Sequence, residues 1–322
     1  MAGEHRSVRD PSKEVGTRAR AHYSLAEMAV PLLSRGADLR EHTEGARREG
    51  QRVAFVPTMG ALHEGHVALI EHARALSDLV VVSIFVNPTQ FAPGEDFDRY
   101  PRTLEADMLR IEAAVPGDRI VVFAPDAAEL YPPGDTTRVH VGAMSEVLCG
   151  PHRPGHFEGV ATVVTKFFGL VGASVALFGK KDYQQLQILR RVTLDLLLPV
   201  TIVAHPTVRE ADGIAKSSRN RFLSPTERTR ARSISAGLAA AHAAFTAGER
   251  RVGALEAALR GPLSALDSLD YATLADPETL QPLAPERPCG DRVLAAVAGH
   301  LGRTRLIDNI VLGEDPAPAG AP

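Results

Sequence analysis

One stretch near the start of the chain, residues 53–66, combines a short apolar run, a tight turn and the start of a helix. The run at 53–56 is typical of a buried parallel strand, and Pro57 should end it because proline donates no ladder hydrogen bond. Gly60 permits a sharp turn, and apolar residues then recur at helical spacing over 67–76. A strand, a turn and a helix in this order predict an α/β fold built on a parallel sheet.

The helix after this turn should begin between His63 and His66. Its free N–H groups and the positive end of its dipole favour an anion, and two imidazoles one turn apart can donate hydrogen bonds to phosphate oxygens. Gly65 leaves room for a ligand to approach the backbone. An isolated His-x-Gly-His motif is a surface or capping arrangement about as often as it is a phosphate site. The preceding strand and the following helix favour a polyphosphate site here.

Composition limits the class of protein. The chain has 322 residues, 44% of them hydrophobic and 23% charged, which is typical of a globular chain with two packed domains. Its formal net charge of −3 gives no general attraction to nucleic acid or to a membrane, so an anion site has to be local. Cys149 and Cys289 suggest neither a disulfide framework nor a zinc site. With no signal peptide and no apolar run of about 20 residues, we expect a cytoplasmic protein.

Strands and helices alternate along the first two thirds of the chain. The predicted strands are 53–56, 79–86, 119–124, 175–178 and 201–204, and the predicted helices lie within 32–48, 63–76, 104–114, 160–171 and 186–196. From residue 226 the sequence pattern changes, and it predicts an Ala-rich helix at 236–247 and strands at 271–274 and 293–297. We therefore expect an α/β protein with a Rossmann-like, parallel-sheet N-terminal domain and a smaller α+β C-terminal domain.

Four segments follow from this division. Residues 1–27 are polar and lack a sustained amphipathic period, so we expect a disordered extension, and translation could also start at Met28. Residues 28–206 would form the ligand-binding N-terminal domain, and residues 207–312 the C-terminal domain that closes over the anion site. Residues 313–322 are rich in Pro, Ala and Gly and should form a disordered tail.

Other chemically rich segments follow the predicted strands. Ligands of open α/β sheets bind beyond the carboxyl ends of the strands, where residues 87–90 and 179–185 lie. Asn-Pro is also a common turn former, and for residues 87–90 alone that interpretation is favoured by about two to one. Taken alone, residues 179–182 are more often a helix cap, and the loop with Arg153 and His156 is more often a solvated loop. Residues 216–221 can bind phosphates and cap the next helix at the same time.

Together these segments resemble the pantothenate synthetase family of the HxGH nucleotidyltransferase superfamily. The resemblance rests on residues 57–66, 85–91, 153–157, 178–185 and 217–220 in the same order, with a similar ending at 302–309, and covers about 28–312. It implies ATP-dependent condensation of (R)-pantoate with β-alanine to pantothenate through a pantoyl adenylate, with release of AMP and pyrophosphate. Nucleotide and pantoate would bind in the N-terminal domain. The resemblance also implies Mg²⁺ accompanying ATP, a homodimer, and a strategy similar to class I aminoacyl-tRNA synthetases.

Individual residue roles are implied as well. His66, His63 and Lys181 would be catalytic, with His66 as the family's proton donor, and Gln90 and Gln185 would bind pantoate and β-alanine. The implied ATP-binding residues are Met59, Gly60, Ala61, Leu62, His63, Glu64, Gly65, His66, Gly179, Lys180, Lys181, Asp182, Val208, Lys216, Ser217, Ser218 and Arg219. No protein ligand of a metal is implied. Lys216 stands where the family usually has Met or Leu, so it either contacts phosphate or points to solvent.

Two alternatives compete with this prediction. Another HxGH-class nucleotidyltransferase would keep both histidines but act on a phosphate ester, whereas the neutral amides of Gln90 and Gln185 suit a small hydroxy acid. A non-catalytic nucleotide-binding or RNA-binding protein could reuse the fold. An aromatic content of 5% and the near-neutral charge argue against RNA, and the intact pair of histidines with Lys181 argues against a catalytically dead chain.

Overall fold

Six parallel strands form the larger of two sheets in the computed structural model, which describes residues 29–115, 117 and 119–318. The predicted extension at 1–27 and residues 319–322 of the predicted tail lie outside the described residues. The strands are β1 (Leu32–Leu33), β2 (Val53–Thr58), β3 (Leu79–Ile84), β4 (Ile120–Phe123), β5 (Ser174–Gly179) and β6 (Val200–His205). Their order across the sheet is β1-β4-β3-β2-β5-β6. The Rossmann-like parallel sheet that the sequence predicts is confirmed.

Helices cover both faces of this sheet, because each connection between parallel strands has to cross over it. The helices are α1 (Gly36–Arg48), α2 (Glu64–Leu76), α3 (Leu104–Ala114), α4 (Ala127–Leu130), α5 (His156–Val171) and α6 (Tyr183–Asp195). Phe55 of β2 and Phe167 of α5 belong to the core on one face. Val56 of β2 packs in the core on the other face with Ile70 of α2 and Met108 of α3.

A three-stranded antiparallel sheet forms the smaller part, with β7 (Ser268–Ala275), β8 (Val293–Leu301) and β9 (Thr304–Leu312) in that order. Helices α7 (Pro225–Thr246) and α8 (Val252–Arg260) supply Leu238 and Leu255 to a core that also contains Val297 of β8. This part is the α+β region that the sequence predicts. The domain boundary near Pro206, just after β6, stays a prediction.

Several boundaries differ from the prediction. Leu32 and Leu33 are not helical but pair with β4, so α1 begins only at Gly36. Pro57 does not end β2, which continues to Thr58 beside β3. Because Thr58 O accepts from Phe85 N on the β3 side, Pro57 faces the β5 side, where the pairing of β2 has already stopped. The missing N–H of Pro57 therefore costs no ladder bond.

The C-terminal end also corrects the prediction. Strand β9 was not among the predicted strands, and the expected disordered tail begins with folded residues. Glu314 N donates to Val311 O at 3.1 Å, and Val311 N donates to the carboxylate of Asp315 at 2.8 Å. Residues 313–315 therefore form a hydrogen-bonded turn at the end of β9.

The strand order reverses between β2 and β5. From β2 the chain continues outwards to β3 and β4 on one side of the sheet, and from β5 it continues outwards to β6 on the other side. Open α/β sheets bind their ligands at such a point, beyond the carboxyl ends of the strands. The turns after β2 and β5 therefore face a common crevice. No helix in the described part of the chain combines the length and the hydropathy that a membrane crossing requires.

Candidate active site

The turn between β2 and α2 has an unusual backbone conformation. Gly60 has a φ of 78° and Ala61 a φ of 50°, so an alanine occupies the left-handed region. That conformation costs an L-residue about 1–2 kcal/mol, and the surrounding hydrogen bonds have to offset it. Thr58 Oγ1 makes one of them by accepting from Gly60 N at 3.1 Å, and it donates to Ser83 O of β3 at 2.7 Å.

A buried carboxylate on α3 holds the rest of this turn. Asp107 accepts from Ala61 N at 2.9 Å and from Leu62 N at 2.8 Å, one N–H to each oxygen. Thr103 Oγ1 donates to the same carboxylate at 3.1 Å. The N–H groups of Ala61 and Leu62 are therefore occupied within the protein, so they are not the amides that face a ligand.

The two histidines of the turn form a reciprocal helix cap. His63 Nδ1 accepts from Gly65 N at 3.2 Å, and His66 Nδ1 accepts from His63 N at 3.3 Å. The ring centroids lie 4.1 Å apart. Because each Nδ1 accepts a backbone hydrogen bond, the neutral rings carry their proton on Nε2. Both histidines line the cavity described below, and each ring carries its one donor on Nε2.

The electrostatic surroundings keep both imidazoles neutral. Burial lowers the pKa of His63 to about 4, and the nearby Lys181 ammonium adds to this effect. Burial also lowers the pKa of His66 to about 3, with His63 as the next contribution. At neutral pH the pair therefore acts as two hydrogen-bond donors without net charge.

Lys181 and Asp182 follow β5 on the opposite side of the crevice. Lys181 Nζ lies 3.6 Å from Asp182 Oδ1. Burial by itself would raise the pKa of Asp182, but the positive charges of Lys181 and Arg219 outweigh it and lower the pKa. The result is an ionised carboxylate beside a lysine at the carboxyl end of β5.

Lys180, the neighbour of Lys181, points elsewhere. Its Nζ donates to Glu314 at 2.7 Å and also to Asp315, in the turn after β9. Burial works against its charge, but these two carboxylates raise its pKa. Asn309 Nδ2 of β9 donates to Lys181 O at 2.7 Å. The C-terminal end of the chain thus anchors the turn after β5.

Gln90 lies in the turn after β3 and is buried. Its amide oxygen accepts from Asn87 Nδ2 at 3.1 Å, and its Nε2 lies 3.0 Å from Met59 Sδ. Asn87 also donates to Gly159 O of α5 at 3.1 Å and accepts from Tyr131 OH at 2.8 Å. Asn87 Oδ1 also accepts from Thr89 N at 3.3 Å, so Asn87 forms the turn and fixes the orientation of the Gln90 amide.

The loop before α5 supports the same glutamine. His156 Nδ1 donates to Gln90 O at 2.8 Å, and its Nε2 accepts from Arg153 Nη1 at 2.8 Å. Burial and the adjacent Arg153 charge lower the pKa of His156 to about 4, so this ring is neutral. Arg153 also makes a two-pronged ion pair with Glu95, at 2.9 and 2.8 Å. Arg153 and His156 are thus ordered, and they support the Gln90 backbone.

The loop before α7 reaches the crevice from the C-terminal part. Lys216 Nζ lies 3.0 Å from Glu64 at the start of α2, so it points neither to open solvent nor away from the site. Arg219 makes two hydrogen bonds of 3.1 Å to the carboxylate of Asp96. Val208 O accepts from Lys216 N at 2.9 Å, which links the loop to the segment after β6.

Most of the predicted site residues come together around one cavity of about 230 Å³. Those that line it are Met59, His63, Gly65, His66, Gln90, Gly179, Lys181, Asp182, Gln185, Val208, Lys216, Ser217, Ser218 and Arg219. Five predicted ATP residues, all within the described ranges, lie outside this lining: Gly60, Ala61, Leu62, Glu64 and Lys180. A cavity of about 780 Å³ continues from it towards β8 and β9 and shares Arg153, Lys181 and Arg219.

Comparison with known protein families matches residues 32–311 to the family described as Pantoate-beta-alanine ligase. The chain belongs to this family. The prediction that this chain is a pantoate–β-alanine ligase, a carbon–nitrogen ligase, is therefore confirmed. Neither alternative, another HxGH-class nucleotidyltransferase or a non-catalytic nucleotide-binding or RNA-binding protein, is supported.

Relatives of the ligase family cover almost the whole chain. The chain is 52% identical over 288 residues to a pantothenate synthetase of Myxococcus xanthus. The matched region covers 89% of this chain and 97% of the relative. A crystal structure of the enzyme from Thermus thermophilus has 45% identity and a TM-score of 0.80, covering 87% of this chain and 99% of the other. A pantoate-β-alanine ligase from Francisella tularensis, complexed with beta-gamma ATP and β-alanine, has 31% identity and a TM-score of 0.71, covering 90% and 100%.

Sequence reasoning missed three acidic residues of this ligase site. Asp96 and Glu95 hold Arg219 and Arg153, and Asp107 holds the turn after β2. The sequence contains a signal for Asp107, because this residue interrupts the apolar stripe that Leu104 and Met108 form on α3. In the structure the Asp107 side chain is only 2% exposed. A carboxylate on the buried face of a helix has to find hydrogen-bond donors.

Proposed function

We propose that the 230 Å³ cavity binds ATP and pantoate, forms a pantoyl adenylate, and passes it to β-alanine to give pantothenate. The observation that carries this proposal is the placement of two neutral histidines, His63 and His66, on the same cavity as Lys181 and the amides of Gln90 and Gln185. Hydrogen-bond donors without charge, one ammonium group and two neutral amides suit a polyphosphate beside a small hydroxy acid.

ATP would lie across the ends of β2 and β5. Val208 would contact adenine through its backbone, and the ionised Asp182 would accept hydrogen bonds from the ribose hydroxyls. Gly179 leaves space where the nucleotide approaches the backbone, because a side chain there would meet nothing within 4 Å. Gly65 instead makes room for the His63 ring, which a side chain at this position would meet at 3.0 Å.

The triphosphate would lie between the histidines and the loop before α7. His63 and His66 would donate from Nε2, Lys181 would neutralise charge, and Ser217, Ser218 and Arg219 would clamp the phosphates that leave. Lys216 would join them by exchanging its Glu64 partner for phosphate. Met59 would line the pocket, whereas Gly60, Ala61, Leu62 and Glu64 shape the turn and Lys180 anchors the turn after β5.

Pantoate would bind between Gln90 and Gln185. The amide of Gln90 is held by Asn87 and faces Met59, so its orientation is set before the substrate arrives. Amides donate to the carboxylate and accept from the hydroxyls of pantoate without adding charge. The β-alanine would approach from the same side, beside Gln90.

The reaction would take two steps. A carboxylate oxygen of pantoate attacks the α-phosphorus of ATP, the bond to the bridging oxygen breaks, and pyrophosphate leaves. The neutral amine of β-alanine then attacks the acyl carbon, the bond from carbon to the phosphate oxygen breaks, AMP leaves, and the nitrogen loses a proton to solvent. Charge builds up on phosphate oxygens in the first step, where His66, His63 and Lys181 stabilise it. With its lowered pKa, His66 is neutral before ATP binds and contributes a hydrogen bond to this charge.

Mg²⁺ enters this proposal as the companion ion of ATP. Among the described residues no group of three or more His, Cys, Asp or Glu side chains is arranged to hold a metal ion. Mg²⁺ would arrive with ATP and would neutralise part of the phosphate charge in the first step.

We also propose that residues 207–312 act as a domain that closes over ATP. Two contacts across the crevice support it, Lys216 with Glu64 and Arg219 with Asp96. A homodimer is expected from the family resemblance, and light scattering of the purified chain tests it. Location in the cytoplasm stays a prediction.

The experiment that tests the function separates the two steps. Exchange of labelled pyrophosphate into ATP should require pantoate but not β-alanine, and AMP should accumulate over many turnovers only when β-alanine is added. His66→Ala should lower the pantoate-dependent exchange by about 10²–10³-fold, the usual cost of removing one donor to a developing charge.

His140→Ala is the matched control, because His140 is exposed and, within the described part of the chain, forms an ion pair only with Glu158, at 3.7 Å. It should retain wild-type exchange. ATP consumption that is equal with and without pantoate, or exchange that survives in His66→Ala, would contradict the proposal.

A further inference from the structure

The amides at the start of the catalytic turn already hold an anion, and that anion belongs to the protein. Each oxygen of Asp107 accepts one backbone N–H, from Ala61 and from Leu62. Successive backbone N–H groups in such a turn form an anion-binding concavity. A phosphate cannot use these amides while the Asp107 carboxylate occupies them, so within this turn the donors left for the ligand are the two histidine side chains.

The same contact holds a strained residue. Ala61 has a φ of 50°, and it lies two residues before the histidine that caps α2. The neighbouring Gly60 has no spare room, because a side chain there would meet Asp107 Oδ2 at 3.0 Å. If the Ala61 backbone relaxed to an ordinary conformation, the direction of α2 and the aim of both imidazoles would change.

We infer that Asp107 is a positioning residue of the adenylation step, which sets the aim of His63 and His66 by holding Ala61 in its left-handed conformation. Asp107 is not among the residues that line the cavity, so it would act through the turn and not by touching the substrate. This inference rests on the proposed function of the cavity. An apolar side chain at this position would fill the space between α3 and the turn, but it would leave two buried N–H groups without acceptors.

Asp107→Asn tests this role with little change of shape. The amide keeps one acceptor and turns a donor towards the second N–H, so one of the two hydrogen bonds is lost. We expect kcat of the pantoate-dependent pyrophosphate exchange to fall by about 10- to 100-fold, as for a misplacement of about 1 Å. The KM for ATP should change by less than about threefold, because the phosphate contacts remain. Glu105→Gln, on the exposed face of the same helix, is the matched control and should retain wild-type exchange.

A double-mutant cycle separates positioning from packing. Glycine adopts a positive φ without strain, so in an Ala61→Gly background the turn no longer depends on Asp107. The effect of Asp107→Asn on kcat should then shrink to less than about threefold. An equal loss in both backgrounds, or a folded Asp107→Asn with wild-type kcat, would overturn the inference. Wild-type protein without pantoate-dependent exchange would instead overturn the proposed function.

Hydrogen exchange of the unmodified chain gives a second test that does not depend on the variant folding. The amides of Ala61 and Leu62 should be protected as strongly as those of the central strands, although they lie in a turn. Exchange of these two amides at the rate of exposed loops would show that Asp107 does not hold them, and would overturn the inference.

Discussion

The two walls of the crevice are built in different ways. The turn after β2 is held by hydrogen bonds between nearby backbone and side-chain groups, and its histidines are neutral. The loop before α7 is held by ion pairs to the opposite wall, Lys216 to Glu64 and Arg219 to Asp96. Hydrogen bonds in a buried turn define one geometry, whereas partly exposed ion pairs can exchange one anion for another.

This difference assigns a task to each wall. The rigid wall presents uncharged donors at fixed positions, as the stabilisation of a developing charge requires. Under the proposed function, phosphate replaces the carboxylate partners of the cations in the ion-paired wall when ATP binds. Changes in the first wall should therefore act on kcat, and changes in the second mainly on the KM for ATP.

The largest effect on the ion-paired wall should come from Arg219. Its two parallel hydrogen bonds to Asp96 suit a planar guanidinium, so Arg219→Lys should lose them together with the phosphate contact. Charge-assisted hydrogen bonds contribute about 1.5–3 kcal/mol, so kcat/KM for ATP should fall by about 10- to 100-fold. Steady-state kinetics of AMP release measures this effect. Arg221→Lys, two residues further on and exposed, is the control, and equal losses in both variants would refute a specific role of Arg219.

The two neutral histidines of the rigid wall, together with His156 at the start of α5, predict a pH dependence of stability. His63, His66 and His156 have lowered pKa values in the folded protein, so between about pH 6.5 and 4 the unfolded chain binds protons that the folded chain does not. The free energy of unfolding should therefore fall as the pH drops through this window, and it should be level above pH 7.

Urea unfolding at pH 7, 6 and 5 measures this slope, which is at most about 1.4 kcal/mol per pH unit for each histidine. His156→Gln should flatten the slope, since it removes one of the buried groups. A free energy of unfolding that stays constant down to pH 5 would show that these rings are charged in the folded protein.

The smallest and most diagnostic effect should come from Lys216 and Glu64. Glu64 is 63% exposed, so the pair contributes only about 0.2–1 kcal/mol. If Lys216 exchanges Glu64 for phosphate, Lys216→Met should raise the KM for ATP by up to about fivefold, and Glu64→Gln should lower it. The double variant should behave like Lys216→Met. An unaltered KM in Lys216→Met would restrict Lys216 to its pair with Glu64.

Much of the fold was predictable because its signals are local. The strand, turn and helix at 53–76 read directly from the apolar periodicity, and all three are present. The sequence did not predict strand β9, because Asp308 and Asn309 interrupt its apolar pattern. Both side chains are nevertheless buried. They are buried because Asp308 pairs with Arg209 and Asn309 bonds to Lys181 O, partners that are remote in sequence.

The sequence predicted most of the residues that line the cavity, but it did not predict which groups of these segments face the cavity and which bind to other parts of the protein. Lys180 and Lys181 are adjacent and alike in the sequence, yet one lines the cavity and the other meets Glu314 and Asp315. The same applies to Ala61 and Leu62, whose N–H groups look free until the partner on α3 is known. What decides these cases is contact between distant segments, which one sequence does not encode locally.

The anchoring of the turn after β5 by the end of the chain has a consequence for biosynthesis. Asp315 lies 135 residues after Lys180, and Asn309 lies 128 residues after Lys181. A ribosome adds about 5–20 residues per second, so roughly 7 to 27 s separate the synthesis of this turn from that of its last partner. The parallel sheet can form on the ribosome, but the turn after β5 cannot gain its last partner until the segment around Asp315 has left the exit tunnel.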